Sequence, residues 1–167
     1  MKRMASIIVF LLVAGILAGC VPAPPDAIMA ELSPTGPPLV EEFTDGGEEC
    51  FVHVVLVSKI DGNLQGILEA DYRVVIQHPC GPYPPGTYEE SLSMTGSFEG
   101  TLDGRKGTFD VFSSGQSEDG YYTAWWAIVP GSGTGGLTGL TGMIHVEGTM
   151  LGGSGVYSLK GTYSLAP

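Results

Sequence analysis

Basic residues are scarce in this sequence. Seven Lys and Arg stand against 18 Asp and Glu among 167 residues, which gives a formal net charge of −11. Nucleic-acid binding needs clustered basic side chains that neutralise phosphates, and electrostatic attachment to anionic lipid needs them as well. The composition therefore argues against both kinds of partner.

Motifs for metals, nucleotides and nucleophilic catalysis are also lacking. The three histidines, His53, His78 and His145, are scattered, and no CxxC or HxxxH spacing occurs. No GK[ST] phosphate loop and no G-x-S-x-G serine elbow is present. Gly131–Gly136 matches G-x-G-x-x-G, but the turn residues that follow it forbid the helix that a dinucleotide site requires. We expect a wide glycine turn there, and neither a metal nor another cofactor.

The N-terminus has the form of a targeting segment. Lys2 and Arg3 precede an apolar run that is too short for a spanning helix of about 20 residues. Its end, Leu17-Ala18-Gly19-Cys20, resembles the lipobox of bacterial lipoproteins, in which the cysteine carries acyl chains such as palmitate. An ordinary signal peptide with an incidental cysteine is the alternative. We predict a cleaved signal peptide at 1–19, lipidation of Cys20, and a domain held on the extracytoplasmic side of a bacterial membrane.

Residues 20–49 are predicted to be a tether. Prolines, which disfavour regular structure, stand here at Pro22, Pro24, Pro25, Pro34, Pro37 and Pro38. The segment is also acidic, which favours a solvated stalk over a cation-binding run. The folded domain is accordingly predicted at 50–167.

Two cysteines remain after Cys20. In an oxidising compartment Cys50 and Cys80 are more often a disulfide than two free thiols. By the chain-entropy estimate such a bond would stabilise the domain by about 3–4 kcal/mol. We predict the disulfide.

Downstream of residue 50 the apolar pattern is that of strands. Short runs rich in Val, Ile, Tyr, Phe and Thr alternate with Gly, Asp-Gly and Pro turns. Strands are predicted at 50–59, 65–77, 88–102, 105–114, 120–130, 141–151 and 155–165. The short connections favour an antiparallel up-and-down arrangement, because parallel crossovers need a dozen residues or more.

Glycines on the apolar faces favour a barrel over a sandwich. One face carries Met94, Gly96, Phe98, Gly100 and Leu102, and a second carries Tyr157, Leu159, Gly161, Tyr163 and Leu165. Interior glycine relieves crowding in a tightly coiled sheet. We predict an all-β fold, a single antiparallel barrel of seven to eight strands.

The segments 98–109 and 129–142, with Leu102-Asp103-Gly104-Arg105 and the glycine-rich run, resemble a family of small bacterial proteins of unknown function. That family is allied to the allene oxide cyclase barrels. The resemblance spans about residues 50–165 and implies an eight-stranded, calycin-like barrel. It implies no established activity and maps no catalytic residues onto this chain.

Aromatic residues are the candidates for ligand contact. The candidate set is Tyr121, Tyr122, Trp125, Trp126, Tyr157 and Tyr163. Neighbouring positions of a strand face opposite sides, so one member of each adjacent pair should line or cap the interior. Core filling is the simpler interpretation, and a stacking wall at the barrel mouth is the functional one.

Charged candidates for catalysis have simpler interpretations as well. Alternation places Glu99 outside the barrel, and Asp103 and Arg105 flank a turn where a salt bridge is expected. Glu147 and His145 share one face and would form an acid–base pair only if that face were inward.

Three functions follow from these features. The leading hypothesis is a lipid-anchored, non-enzymatic barrel that binds a small hydrophobic ligand. An isomerase or cyclase of the allene oxide cyclase type, acting on a lipid-derived substrate, is the alternative, and it rests on the family kinship alone. A structural or protein-contact module is the third.

Overall fold

The computed structural model describes residues 26–81, 88–149 and 155–166. Their elements are β1 Ala27–Pro34, β2 Leu39–Asp45, β3 Cys50–Gly62, β4 Leu64–Ile76, β5 Glu90–Leu102, β6 Arg105–Glu118, β7 Tyr121–Ile128, β8 Leu140–Thr149 and β9 Tyr157–Leu165. One turn of 3-10 helix covers Gly135–Leu137. Within these ranges no helix is long and apolar enough to cross a membrane.

Eight strands close into an antiparallel barrel. From β3 to β9 each strand pairs with the next one along the chain, and β1 joins β9 to β3. Every pairing is antiparallel. The predicted all-β, calycin-like barrel is confirmed, and each of the seven predicted strands corresponds to one of β3–β9.

The predicted tether is wrong for the part that the structure describes. Residues 27–34 form β1, a full member of the barrel, and residues 39–45 form β2. Pro34 is the last residue of β1, and Pro37 and Pro38 fall in the break before β2. Proline is tolerated at strand ends and breaks, so it marks the interruption and does not exclude the strands. The predicted signal peptide and Cys20 lie outside the described residues.

β1 and β2 lie one after the other along the same edge of β3. β1 pairs with Ser58–Gly62, and β2 pairs with Cys50–Val55. All seven residues of β2 are exposed. We call β2 the lip, because it continues one wall past the end of the closed barrel.

The two ends of the barrel differ. At the end opposite the lip, which we call the closed end, Asn63 joins three segments. Its side chain donates to the Ala27 carbonyl (2.7 Å) and to Asp103 Oδ1 (3.1 Å), and it accepts from the Met29 amide (2.8 Å). The other end, bordered by the lip, Cys50, Glu90 and Tyr157, is the mouth. The Asn63 contacts hold the turns of the closed end together.

The inner face follows the predicted alternation. In β5, Met94, Phe98 and Leu102 are fully buried, and Glu99 is exposed as expected. Gly66 and Gly100 are partners across β4 and β5, and a Cβ on either would meet the Phe98 ring within 2.9 Å. The phenyl ring therefore occupies the space that these glycines leave, so they contribute to packing and not to a cavity.

Candidate functional site

A cavity of about 390 Å³ opens at the mouth. Its wall comes largely from β3 and β4, through side chains such as Val52, Val54 and Val74, which are only half-buried. The lip adds Val40 and Phe43. Small-molecule sites are typically concave, mostly apolar and of about 300–1,000 Å³, so the cavity has the size and character of a ligand site.

Aromatic side chains from three strands border the cavity. They are Tyr72 of β4, Tyr122 and Trp126 of β7, and Tyr157 of β9. The rings of Tyr122 and Tyr157 meet edge to face with centroids 5.5 Å apart. Burial raises the pKa of Tyr72, and it raises the pKa of Tyr122 to about 12. These phenols are therefore neutral at physiological pH.

Four buried polar atoms lack a hydrogen-bond partner within the described residues. They are Ser113 Oγ, Ser117 Oγ, Tyr122 Oη and Trp126 Nε1. An unpartnered buried donor or acceptor costs about 1–3 kcal/mol. Tyr122 and Trp126 belong to the cavity wall, and Ser113 is the cross-strand partner of Trp126. Trp126 and Ser113 nevertheless lie near enough to the Tyr122 hydroxyl to lower its pKa against the larger effect of burial, so these groups interact with one another in the wall without forming hydrogen bonds of good geometry.

Glu90 is the charged residue among the described residues that line the cavity. The residue is 9% exposed, and it lies opposite Ser117 at the start of β5. Burial raises the pKa of Glu90 to about 7, because the apolar surroundings disfavour the carboxylate. Glu90 also borders a second hollow of about 230 Å³ between the ends of β4, β5 and β6.

The predicted disulfide is confirmed. Cys50 and Cys80 are bonded, with their Cα atoms 4.8 Å apart. Cys50 is fully buried at the start of β3, and both cysteines line the cavity. The bond thus ties the segment after β4 to the mouth.

The structure divides the six predicted aromatic residues. Tyr122, Trp126 and Tyr157 border the cavity. Tyr121 and Trp125 are 47% and 56% exposed and face outward, so they are not part of the cavity wall. Alternation along β7 thus places Tyr122 and Trp126 inward and Tyr121 and Trp125 outward.

Tyr163 does not belong to the cavity. It is buried near the closed end, where its hydroxyl donates to Asp103 Oδ2 at 2.6 Å. That hydrogen bond to a carboxylate raises the pKa of Tyr163 to about 12. Within the described structure Asp103 forms no ion pair with Arg105, so the expected salt bridge is wrong. The carboxylate accepts from Tyr163 and Asn63 instead.

The Glu147 and His145 pair lies on the outer surface. Glu147 accepts from Lys160 Nζ (2.9 Å) and from Tyr121 Oη (2.8 Å), and these bonds lower its pKa. His145 contacts Thr123 Oγ1 at 3.1 Å and packs against the Trp125 ring. Neither side chain reaches the lumen, so no acid–base pair forms there.

The glycine-rich segment serves packing. The Thr134 amide donates to the Thr108 carbonyl (2.9 Å), and the Ser132 hydroxyl accepts from the Asp110 amide (2.9 Å). These bonds cover the part of β6 that β7 does not reach, and Leu137 is fully buried in the core. The expected wide turn is observed. In the described ranges no group of three His, Cys, Asp or Glu is arranged to hold a metal ion.

Glu90 and Tyr72 are cavity residues that were not among the candidates predicted from the sequence. The alternation that places Met94 inward also places Leu92 and Glu90 inward when it is continued towards the start of β5. Tyr72 follows in the same way from Leu68 and Ala70 of β4. The alternating pattern therefore indicates both inward positions. For Glu90 it conflicts with the expectation that a carboxylate faces solvent.

Comparisons with known proteins identify a family and a fold. A family described as "Protein of unknown function (DUF3224)" matches residues 40–160. A DUF3224 protein of unknown function from Shewanella oneidensis MR-1, known from a crystal structure, superposes with a TM-score of 0.63 at 20% identity. The alignment covers 84% of this chain and 98% of that one. No curated protein matches the chain.

Proposed function

The chain belongs to the DUF3224 family, and because that family has no established function, we propose from the site itself that the barrel binds a small, largely apolar ligand in the cavity at its mouth. The observation that carries the proposal is the cavity of about 390 Å³. Burying apolar ligand surface there gains about 25 cal/mol per Å².

Exposed apolar side chains at the entrance support the proposal. Val40 and Phe43 of the lip are 52% and 55% exposed, and both belong to the cavity wall. Apolar surface left in water costs free energy that a bound ligand would recover. Val52 and Val54 of the adjacent strand β3 also line the cavity and are only half-buried. The entrance is thus suited to an occupant with an apolar body.

We further propose that this domain is held at a membrane on the extracytoplasmic side through Cys20. The lipobox-like sequence Leu17–Cys20 and the Cys50–Cys80 disulfide, which is typical of oxidising compartments, support this placement. Incorporation of labelled palmitate into the wild-type chain and its loss in C20A is the expected result. Equal labelling of both chains would contradict the anchor. The cyclase activity implied by the resemblance stays a prediction.

Ligand binding can be tested with N-phenyl-1-naphthylamine, a neutral apolar fluorophore. We expect saturable fluorescence enhancement with the full chain. Val54→Trp would place an indole in the cavity and abolish the enhancement. Val57→Trp is the matched control, because Val57 lies on the outer face of the same strand and is 39% exposed.

Two results would contradict the binding proposal. One is the absence of saturable enhancement with the wild-type chain. The other is an equal response from Val54→Trp and Val57→Trp, because the fluorophore would then bind outside the cavity. Native mass spectrometry of the protein purified from its own host should in addition show a co-purifying small molecule.

A further inference from the structure

The charge inside the cavity is negative. Glu90 is the one ionisable acid in the described part of the lining, and no Lys, Arg or His is found there. A buried carboxylate is normally paired with a cation or held by hydrogen-bond donors. Among the described residues no hydrogen bond or ion pair is made to the Glu90 carboxylate. The carboxylate is therefore buried at a cavity wall without a counter-charge.

The surroundings of Glu90 are aromatic. Tyr88, Tyr122 and Tyr157 all lie near enough to the carboxylate for its charge to raise their pKa values. Aromatic rings attract cations through their electron-rich faces, and organic ammonium groups are commonly bound by such rings. Phenol oxygens also accept hydrogen bonds from a cationic donor. The combination suits a positively charged group, and the Glu90 carboxylate repels a negative one.

We propose that the ligand of this cavity is an organic amine whose protonated nitrogen pairs with Glu90 and whose apolar body lies against the β3 valines and the lip. This inference rests on the proposed ligand-binding function. The ammonium N–H groups would donate to the carboxylate, and the remaining ligand would fill the apolar part of the cavity.

The charges around the entrance favour the same ligand class. Acidic residues flank the mouth on the rim and on the lip, at Glu41, Glu42, Asp45, Glu89, Glu118 and Asp119. The closed end carries both signs, with Arg105 and Lys106 at the start of β6, Asp61 near the end of β3 and Asp103 in the turn before β6. Fields of this kind raise the local concentration of an oppositely charged ligand and speed its association. An amine is therefore drawn towards the mouth, and a carboxylate is repelled.

Ionisation of Glu90 makes amine binding depend on pH. With a pKa of about 7, Glu90 is mostly neutral below that pH and mostly charged above it. The groups that face it are Tyr88, Tyr122 and Tyr157, whose pKa values are raised so that they stay neutral, and Ser117. Glu89 and Glu118 border the adjacent hollow. Affinity for the amine should thus rise between pH 6 and pH 8, with no comparable rise for a neutral ligand.

Three small ligands with the same kind of alkyl chain can show whether the cavity prefers a cation, a neutral group or an anion. Octylammonium, octanol and octanoate present a cation, a neutral hydroxyl and an anion on the same apolar body. We expect calorimetric titration of the full chain at pH 8 to give octylammonium about tenfold tighter binding than octanol. Octanoate should bind most weakly.

The variant Glu90→Gln tests the residue without a change of size. It should lower octylammonium affinity about tenfold and leave octanol affinity within about twofold. It also removes a buried charge, so it should fold. Glu89→Gln is the matched control, because Glu89 is the neighbouring exposed acid and should leave all three affinities unchanged.

The outcomes separate this inference from the proposed function. If none of the three probes binds, the ligand-binding function itself is wrong. If octanol binds as tightly as octylammonium, or Glu90→Gln changes neither affinity, the cavity binds apolar ligands and the inference about the amine is overturned. A loss of amine affinity in Glu89→Gln equal to that in Glu90→Gln would assign the effect to the general charge of the rim, and it would also overturn the role of Glu90.

Discussion

The two ends of one barrel use the same strands for different purposes. At the closed end Phe98 and Phe109 are 1% and 2% exposed, and their ring centroids are 4.7 Å apart. At the mouth the inward positions of β3 carry valines that are only half-buried around open space. The strands run through both regions without interruption. The valines of β3 therefore leave space beside the aromatic side chains of the mouth, whereas the two phenylalanines fill the space at the closed end.

Polar groups follow the same division. Asn63 and Asp103 at the closed end make hydrogen bonds that join neighbouring turns and strands. At the mouth Tyr122 and Trp126 have buried atoms without partners in the described structure, and the Glu90 carboxylate lacks a counter-charge. Satisfied polar groups stabilise a fold, whereas a carboxylate at a cavity wall without a counter-charge is available to a ligand.

The largest difference between the two ends should appear in truncations of core side chains. Phe98→Ala removes a fully buried ring at the closed end and should lower the free energy of unfolding by about 3–5 kcal/mol. Val74→Ala at the mouth should cost below about 1 kcal/mol, because its methyl groups border space that is already empty. Urea unfolding measures both values. Equal losses would show that the mouth is packed as tightly as the closed end.

The second-largest effect on the free energy of unfolding should come from removal of the disulfide at the mouth. Cys50→Ser with Cys80→Ser should lower the free energy of unfolding by about 2–4 kcal/mol, because the unfolded chain gains entropy. Reduction of the wild-type protein is the control and should give a similar loss. The double variant should also bind N-phenyl-1-naphthylamine more weakly, since both cysteines line the cavity. Unchanged stability would contradict a closed bond in solution.

Glu90 should make the mouth sensitive to pH. Its pKa of about 7 in the folded state lies above the ordinary value of 4.5, so the folded state binds the proton more tightly. This group's contribution is present below about pH 4.5 and is lost as the pH rises through about 7. Compared with the wild type, Glu90→Gln should therefore gain roughly 2 kcal/mol between pH 4.5 and pH 8. Parallel stability curves for the two proteins would refute this assignment.

The smallest effect on stability should come from the lip. Phe43→Ser changes an exposed side chain and should alter the free energy of unfolding by less than about 0.5 kcal/mol. Binding of N-phenyl-1-naphthylamine should nevertheless weaken severalfold, because Phe43 lines the cavity. Phe51→Ser is the control, since Phe51 is 42% exposed and is not part of that wall. Equal binding by the two variants would exclude the lip from the site.

The barrel itself could be predicted from the sequence, because alternation and tight turns repeat through β3–β9. The sequence pattern does not predict β1 and β2, because the many prolines of this segment indicate a break in regular structure over its whole length, whereas the structure confines the break to single positions. The strand pairings of Pro34 and its neighbours with β3 arise from tertiary contacts that local pattern does not contain.

The site was predictable only in part. Alternation identifies which of Tyr121 and Tyr122 faces inward once the phase of β7 is known. Alternation does not reveal how far along the barrel axis a residue lies. For this reason the sequence predicts Tyr163 as a ligand contact, although the residue lies at the closed end. The cavity depends on which inward side chains share one level of the barrel, and this becomes visible only when the strands are aligned in register.

β1 has a practical consequence for work with shortened chains. The family match starts at residue 40, and the sequence pattern alone placed the domain start at residue 50, yet β1 occupies Ala27–Pro34. A chain cut at either position would lack β1, so β9 and the Ser58–Gly62 part of β3 would become unpaired edges of an open sheet. Free edges recruit strands from other molecules, and such proteins aggregate. Soluble expression of the domain therefore requires a start before Ala27.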